Sequence, residues 1–347
     1  MGKPEVERVY RPDEYAYAVG KVQALQNQIL STDTFRQIAE APSMETAVRL
    51  LSESRFGEYL AEGLSYQELE KAQLTELKAL HTELVPGDLL TGMPFVMADF
   101  SNLKYLVKSF IKRAEPDLSR LQVGWYGAQK MVDLVFEQPE EASPEVACHY
   151  SAVMQAFAAY ERTEDPALID LILDQRCYDY LYTLFRFRKA DFALGFLATL
   201  ADLTNLQTLL RLIIRREQQG IYPTREQKEL SFLPAGTIPR QLLAGWSELS
   251  AAEAVAAVGG TKYGRNLAET FETVLKDNNW LPLERESDEL KMAYLRRAKL
   301  VATGYEPVFA YFLAKENEVR LVRVALQGKA FGLPAATIRE RLWGSYV

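Results

Sequence analysis

Histidine and cysteine are scarce in this 347-residue chain: it has two of each, His81 and His149, Cys148 and Cys177. Two cysteines give neither a disulfide framework nor zinc-ligand spacing, and they fit a reducing, cytoplasmic setting. No HExxH pattern surrounds either histidine, and His81, inside an amphipathic stretch, reads as a surface or satisfied core ring rather than a ligand. Cys177 has no histidine near it in sequence and reads as a buried apolar thiol. No G-x-S-x-G nucleophile motif stands out. Gly259-Gly260-Thr261-Lys262 lacks the first glycine of a phosphate loop and follows no strand, so it reads as a turn after a helix. Asp288-Glu289 has no second acidic cluster to make a Mg-dependent synthase. Together these absences predict no active site, no metal and no cofactor. An excess of positive charge is also missing. The net charge is −7, which speaks against a general nucleic-acid binder. The start, Met1–Arg11, has no apolar h-region and is not expected to be a signal peptide. Apolar runs such as Phe192–Leu200 are too short to span a bilayer, so no transmembrane span is expected. Sustained alternation of period two is absent, so no sheet is predicted.

What is abundant is helical periodicity, in a chain that is 48% hydrophobic and 25% charged. The most informative stretch is Asp202–Arg216. Leu206, Leu209, Leu210, Ile213 and Ile214 fall at i, i+3, i+4, i+7 and i+8, one apolar stripe along a helix. Asp99–Arg113 repeats the plan 103 positions earlier (Asp99 to Asp202), with Leu103, Leu106, Val107, Phe110 and Ile111 in the stripe. A weaker third copy lies at Glu318–Arg323, 113 positions after the second (Asn205 to Glu318); Val319, Val322 and Leu326 keep the stripe, while Arg323 and Gln327 interrupt it. Two smaller correspondences agree with a long period. Ser54-Arg55-Phe56-Gly57-x-x-Leu60 matches Thr261-Lys262-Tyr263-Gly264-x-x-Leu267. Leu69-Glu70-Lys71 matches Leu173-Asp174-Gln175 and Leu283-Glu284-Arg285. The expectation is an all-α chain of three similar helical-bundle units, at 1–120, 121–230 and 231–347.

The remaining elements read as helices over Tyr15–Leu30, around Phe35 and Ile38, from Ser43 as N-cap through Leu51, and over Tyr66–Leu84. Further helices are predicted at Met131–Phe136, at Ala147–Tyr160, from Asp165-Pro166 to about Arg186, and at Asp191–Arg216 with a possible break near Asp202. In the third unit they are predicted at Leu242–Val258, Leu267–Leu275, Met292–Thr303 and Pro307–Gln327, with a last short one from Pro334 to near Trp343. The polar pairs Asp99/Asn102 and Asp202/Asn205 stand on or beside the stripes. They read as groups that fix helix packing, since buried amides and carboxylates need partners. Lys104, Lys108 and Lys112 form a basic row that Arg211 and Arg215 continue in the second copy. Arg113, Arg216 and Lys329 align where each stripe ends, a place that suits cations.

At this point the ordered set of motifs resembles the C-type subunit family of bacterial and archaeal V-type (A-type) ATPases, the counterpart of the d-type subunit of eukaryotic V-ATPases. The resemblance covers essentially the whole chain. It is carried by Tyr15–Val22 with Leu30, by Leu51–Gly57, by Leu173–Tyr178 and by the two Asp-x-x-Asn-Leu helices. The most specific part is Lys315–Arg323 through Gly328–Pro334 to Ile338–Arg341. The resemblance implies a pseudo-threefold funnel on the cytoplasmic face of a membrane-bound complex. It also implies a non-catalytic role: joining the central-stalk subunits of the ATPase head to the membrane proteolipid ring and transmitting torque for ATP-linked H+ or Na+ transport. Candidate subunit-interface residues are Lys104, Lys108, Lys112, Arg113, Arg211, Arg215, Arg216, Arg320, Arg323 and Lys329. The third copy departs from the pattern, with Val324 and Gly328 in place of basic residues and Lys315 and Glu318 in place of Asp and Asn. A free-standing helical-repeat adaptor would show a period of about 35–45 residues, far shorter than about 103–113. An all-α enzyme would show clustered acids or paired histidines.

Overall fold

The apolar stripes fold as helices, and helix is the regular structure throughout the computed structural model, which describes residues 12–52, 54–57, 59 and 65–347. No strand occurs among the described residues. The chain runs through α1 (Ala16–Gln26), α2 (Thr32–Glu40), α3 (Met44–Ser52), α4 (Tyr66–Leu84), α5 (Met93–Ile111), α6 (Ala128–Phe136), α7 (Ala147–Thr163) and α8 (Pro166–Phe187). It continues through α9 (Asp191–Gln219), α10 (Arg225–Ser231), α11 (Arg240–Trp246), α12 (Ala251–Gly259), α13 (Gly264–Asp277), α14 (Leu281–Arg296), α15 (Glu306–Ala330) and α16 (Ala335–Arg339). Leu60 and the polar start Met1–Arg11 lie outside the described residues.

Helix starts follow local chemistry. The Ser43 hydroxyl accepts the Thr46 N–H at 3.2 Å, and Asp165 accepts the Ala167 N–H at 2.9 Å ahead of Pro166 in the first turn. Ser65/Glu68, Thr224/Gln227 and Ser250/Glu253 each form a reciprocal capping box, satisfying two of the N–H groups a helix start leaves without partners. Ser250 explains one departure from expectation: the stretch Leu242–Val258 is two helices, because this cap restarts the chain after Trp246. In the first segment α1 stops at Gln26, not Leu30. Helix α9 runs unbroken through Asp202. Helix α14 begins at Leu281 and gives way to a 3-10 turn, Arg297–Leu300. The last helix ends at Arg339 rather than near Trp343.

The chain forms two compact units, one of residues 95–283 and one of residues 12–94 with Glu284–Val347. In the first, α9 packs on α8, α11 and α13, and α8 also packs on α7 and α10. Leu206, Leu209, Leu210, Ile213 and Ile214 are all buried; each full burial of such a side chain is worth about 1.5–3 kcal/mol. By length and composition α9 is a described helix that passes for a membrane span. Its apolar window, mean hydropathy 1.2, is 67% buried inside the protein, so it serves as a core helix here. In the second unit α15 packs on α1, α2, α3, α4 and α16. Phe35, Ile38, Phe56, Leu69, Val322 and Leu326 belong to its core. The third copy's loss of a basic residue at Gly328 has a steric cause. A Cβ there would lie 2.8 Å from Ile338 Cγ1 of α16, closer than real carbon contacts come.

Candidate functional site: polar latches and basic rows

The polar pairs anchor loops to helices. On α5, Asn102 accepts the Gln122 N–H at 2.8 Å and donates to the Gln122 carbonyl at 3.0 Å. One turn earlier Asp99 accepts the N–H groups of Trp125 and Tyr126, at 3.1 and 3.3 Å. On α9 the arrangement recurs. Asn205 accepts the Leu233 N–H at 2.6 Å and donates to its carbonyl at 3.0 Å. Asp202 accepts the Ile238 N–H at 3.0 Å, the Thr237 hydroxyl at 2.6 Å and the Tyr263 hydroxyl at 2.8 Å. All four side chains are buried, where an unmade bond costs more than a made one gains. Each carboxylate approaches a glycine in its loop. A Cβ on Gly124 would clash with Asp99, and one on Gly236 would sit 2.5 Å from Asp202 Oδ1.

The third copy does the same task with other groups. Glu318 Oε1 accepts the Leu30 N–H at 2.6 Å. A carboxylate cannot donate to the Leu30 carbonyl as an amide does, and the Ser345 hydroxyl donates to it instead, at 2.9 Å. Lys315, in the place of Asp99 and Asp202, pairs with Glu318 inside the core. The ring beside each latch changes in step. His149 Nε2 is 4.0 Å from Asp99, the Tyr263 hydroxyl bonds Asp202, and Phe56 receives Lys315 Nζ at 5.3 Å from its centroid. A cation takes the π face of a ring that has no polar atom. Leu30 thereby explains why the chain leaves helix at Gln26.

The ten basic candidates fall into two groups. Lys104 and Lys108 pair with Asp174 and Asp170 of α8 at 2.5 and 2.6 Å. Arg320 bonds Asp288 at 2.9 Å, and Arg323 lies 3.3 Å from Glu70. Arg216 donates to the carbonyls of Ser247 and Leu249 between α11 and α12. Lys329 donates to the Ala41 carbonyl between α2 and α3 at 2.5 Å. Arg211 stacks on Trp280 at 5.1 Å and stays exposed, and Lys112, Arg113 and Arg215 are also exposed. Arg113 sits at φ 52° just past the end of α5, beside an open depression of about 720 Å³ walled by Phe110, Phe136, Phe157 and Tyr160. The sequence does carry a signal for these acidic partners: Asp170 and Asp174 stand i, i+4 apart, as do Lys104 and Lys108.

Both histidines are buried. Burial, with Lys78 nearby, lowers the His81 pKa to about 3, and burial lowers that of His149 to about 4. His81 Nε2 is 2.9 Å from the Thr91 hydroxyl; His149 lies among Phe100, Tyr126 and Tyr180. Both rings are neutral core groups. Burial raises the Cys177 thiol well above its ordinary range, so it is not a thiolate nucleophile. Gly259 closes α12 and Gly260 begins the turn after it. Lys262, beyond them, lies 3.3 Å from Asp202. Among the described residues no group of three or more His, Cys, Asp or Glu side chains is placed to hold a metal.

The class so defined is an all-helical protein whose recurrent polar pairs fasten its own loops. The chain belongs to the ATP synthase (C/AC39) subunit family, whose model it matches over residues 18–341. It is 24% identical to the C-type subunit of the A-type ATP synthase of Pyrococcus abyssi, over 96% of this chain and 91% of that protein. It is 22% identical to the C-type subunit of the V-type sodium ATPase of Enterococcus hirae, over 91% of this chain and 94% of that protein. The corresponding A-type ATP synthase protein of Methanocaldococcus jannaschii is also 22% identical, over 94% of this chain and 86% of that one.

Proposed function

We propose that this chain is the non-catalytic coupling component of a V-type or A-type rotary ATPase. In this reading it stands on the cytoplasmic face of the membrane, joins the central stalk of the ATPase head to the proteolipid ring, and transmits torque between them. Three similar units, 1–120, 121–230 and 231–347, form a pseudo-threefold funnel. The observation that carries the reading is the run of latches. Asn102 in the first unit holds Gln122 at the start of the second. Asn205 in the second holds Leu233 at the start of the third. Glu318 in the third holds Leu30 in the first, 288 residues away. Each latch ties a helix of one proposed unit to a loop of another, and each lies within a single compact unit of the structure; such internal fastening suits a part that transmits torque. The names of the relatives, all components of V-type or A-type enzymes, supply the complex.

The test is affinity purification of the tagged chain from its native membranes. Recovery of stalk and proteolipid-ring subunits is the expected result; recovery of the chain alone, or with unrelated soluble partners, overturns the reading. Within the complex, Lys112, Arg113, Arg211 and Arg215 are the accessible candidates for the subunit interface. Reversing Arg211 and Arg215 to Glu is expected to weaken assembly at elevated salt, and intact assembly and coupling under those conditions would remove them from it.

A further inference from the structure

The corner between α14 and α15 is unlike the rest of this acidic chain. From Leu290 to Tyr305 there is no Asp or Glu, and there are four cations: Lys291, Arg296, Arg297 and Lys299. At its tip the 3-10 turn Arg297–Leu300 leaves Leu300 90% exposed, the most exposed large apolar side chain among the described residues. The turn is tied down from behind. Lys299 donates to the Tyr346 carbonyl at 2.9 Å and lies over the Tyr346 ring at 4.5 Å. Arg296 donates to the Ser345 carbonyl at 2.6 Å and pairs with Glu289. Lys291 pairs with Asp288. Arg297 is exposed and stacks on Tyr294 at 4.7 Å. The outward surface is therefore an apolar tip flanked by cations and backed by tyrosines. The α8–α9 corner has a related composition. Phe187 is 52% exposed, Arg186 stacks on Tyr182 at 5.8 Å, and Arg188 and Lys189 follow; Asp179 and Asp191 flank it, as Asp288, Glu289 and Glu306 flank the α14–α15 corner. The α4–α5 corner carries Glu83 and Asp88 instead, and both Leu84 and Val85 there are buried.

We propose that the α14–α15 corner is a contact for the headgroup layer of an anionic lipid bilayer, with Leu300 entering the interface and Arg297 meeting lipid phosphates. The proposal rests on the reading of the chain as a component placed at a membrane. Charge complementarity and shape select the occupant. Acid-free basic segments are drawn to anionic lipid surfaces, and tyrosines and long cationic side chains suit the water–lipid boundary. A protein partner would need a pocket to receive a convex tip, whereas a bilayer accepts one anywhere on its surface.

The test uses the purified full-length chain in flotation with vesicles of equal parts phosphatidylcholine and phosphatidylglycerol, and with pure phosphatidylcholine vesicles. The chain is expected to float with the mixed vesicles at low salt and not with the neutral ones. The double variant Arg297→Glu/Leu300→Ser is expected to lower the bound fraction about tenfold. Its folding is checked by an unchanged melting temperature, which the exposure of both side chains supports. Leu300→Ser alone, which leaves every charge in place, is the second variant. No flotation, equal flotation with neutral vesicles, or indifference to both variants overturns the proposal. If the double variant loses stalk or ring subunits in the affinity purification while wild type ignores vesicles, the corner serves an acidic protein surface and the lipid assignment is wrong. If wild type recovers no ATPase subunits, the functional reading fails instead, whatever the vesicles show.

Discussion

The latches on α5 and α9 and the latch on α15 hold a loop in the same way with opposite chemistry. The first two use Asp and Asn, and the Asn amide both accepts from and donates to a single residue's backbone. The third uses a buried Lys–Glu pair and borrows its donor from Ser345. The comparison teaches that what recurs within this chain is the satisfaction of one loop residue's N–H and C=O, not the identity of the groups doing it. It also teaches that the substitution is not local: changing Asp to Lys is accompanied by Glu for Asn, by Phe56 where the others have a polar ring, and by a hydroxyl from elsewhere in the sequence.

The comparison breaks hardest at Lys315. Lys315→Met leaves Glu318 buried, charged and facing an apolar ring, and the expected loss is about 3–5 kcal/mol, read from urea unfolding at neutral pH. Adding Glu318→Gln to that variant is expected to recover part of the loss, because a neutral amide still accepts the Leu30 N–H. If Lys315→Met costs no more than an exposed charge does, the third latch is not the closure inferred from its geometry. Next comes Gly236→Ala, which places a methyl 2.5 Å from Asp202 Oδ1. Overpacking of this kind costs about 1–3 kcal/mol. Gly328→Ala, pressing on the Ile338 side chain rather than on a bonded carboxylate, is expected to cost less, and a reversed order in thermal melts would show the Asp202 loop to be the softer contact.

His149 sharpens the comparison through pH. The folded protein keeps this ring neutral down to about pH 4, whereas its unperturbed value is 6.5. As pH falls below 6.5 the unfolded chain takes up a proton that the folded chain refuses, so stability declines on the acid side and is complete above 6.5. One pH unit below that point, His149 accounts for about 1.4 kcal/mol of the loss. Phe56 already occupies the corresponding place beside Lys315. Phe56, however, faces a cation, whereas a phenyl ring at 149 would face the Asp99 carboxylate, so His149→Phe is expected to cost some stability near neutral pH and to make the acid limb shallower in unfolding curves taken between neutral and mildly acid pH. An unaltered acid limb would mean that His81 and the carboxylates carry all of it.

The three latches and the helices that carry them also show where a sequence can be read and where it cannot. The stripe on α9 is visible because a packed helix repeats every three to four residues. The Asp-x-x-Asn pairs are visible as structural groups because a polar residue in such a stripe must be satisfied. The helix starts at Ser43 and Asp165 are written in adjacent residues. So are the capping boxes at Ser65, Thr224 and Ser250, whose S/T-x-x-E/Q spacing is there to be found, and α10 goes unassigned without it. Asp202 looks like a break because Asp is a poor helix former, yet its carboxylate bonds a distant loop and leaves its own helix intact. Leu30, Ser345 and Phe56 cannot be connected to Lys315 and Glu318 from local pattern, since those contacts cross most of the chain. The basic rows look like an interface. Tertiary packing alone reveals that Lys104 and Lys108 already face Asp174 and Asp170.

Those two ion pairs are where the smallest effect is expected. Lys104 and Lys108 are partly exposed and pair with side chains that are themselves about two-fifths exposed, so water screens both contacts. Exposed pairs of this kind contribute about 0–1 kcal/mol each, a fraction of what the buried Lys315–Glu318 pair controls. Lys104→Ala and Lys108→Ala, singly and with Asp174→Ala and Asp170→Ala in double-mutant cycles, are expected to give coupling energies within that range that shrink as salt is raised. The same variants separate structure from assembly. If they leave unfolding curves nearly unchanged but weaken recovery of ATPase partners, the row faces a partner as well as α8. If coupling instead reaches the magnitude expected at Lys315, the α5–α8 contact is as desolvated as the third latch, and the contrast between exposed rows and buried latches fails.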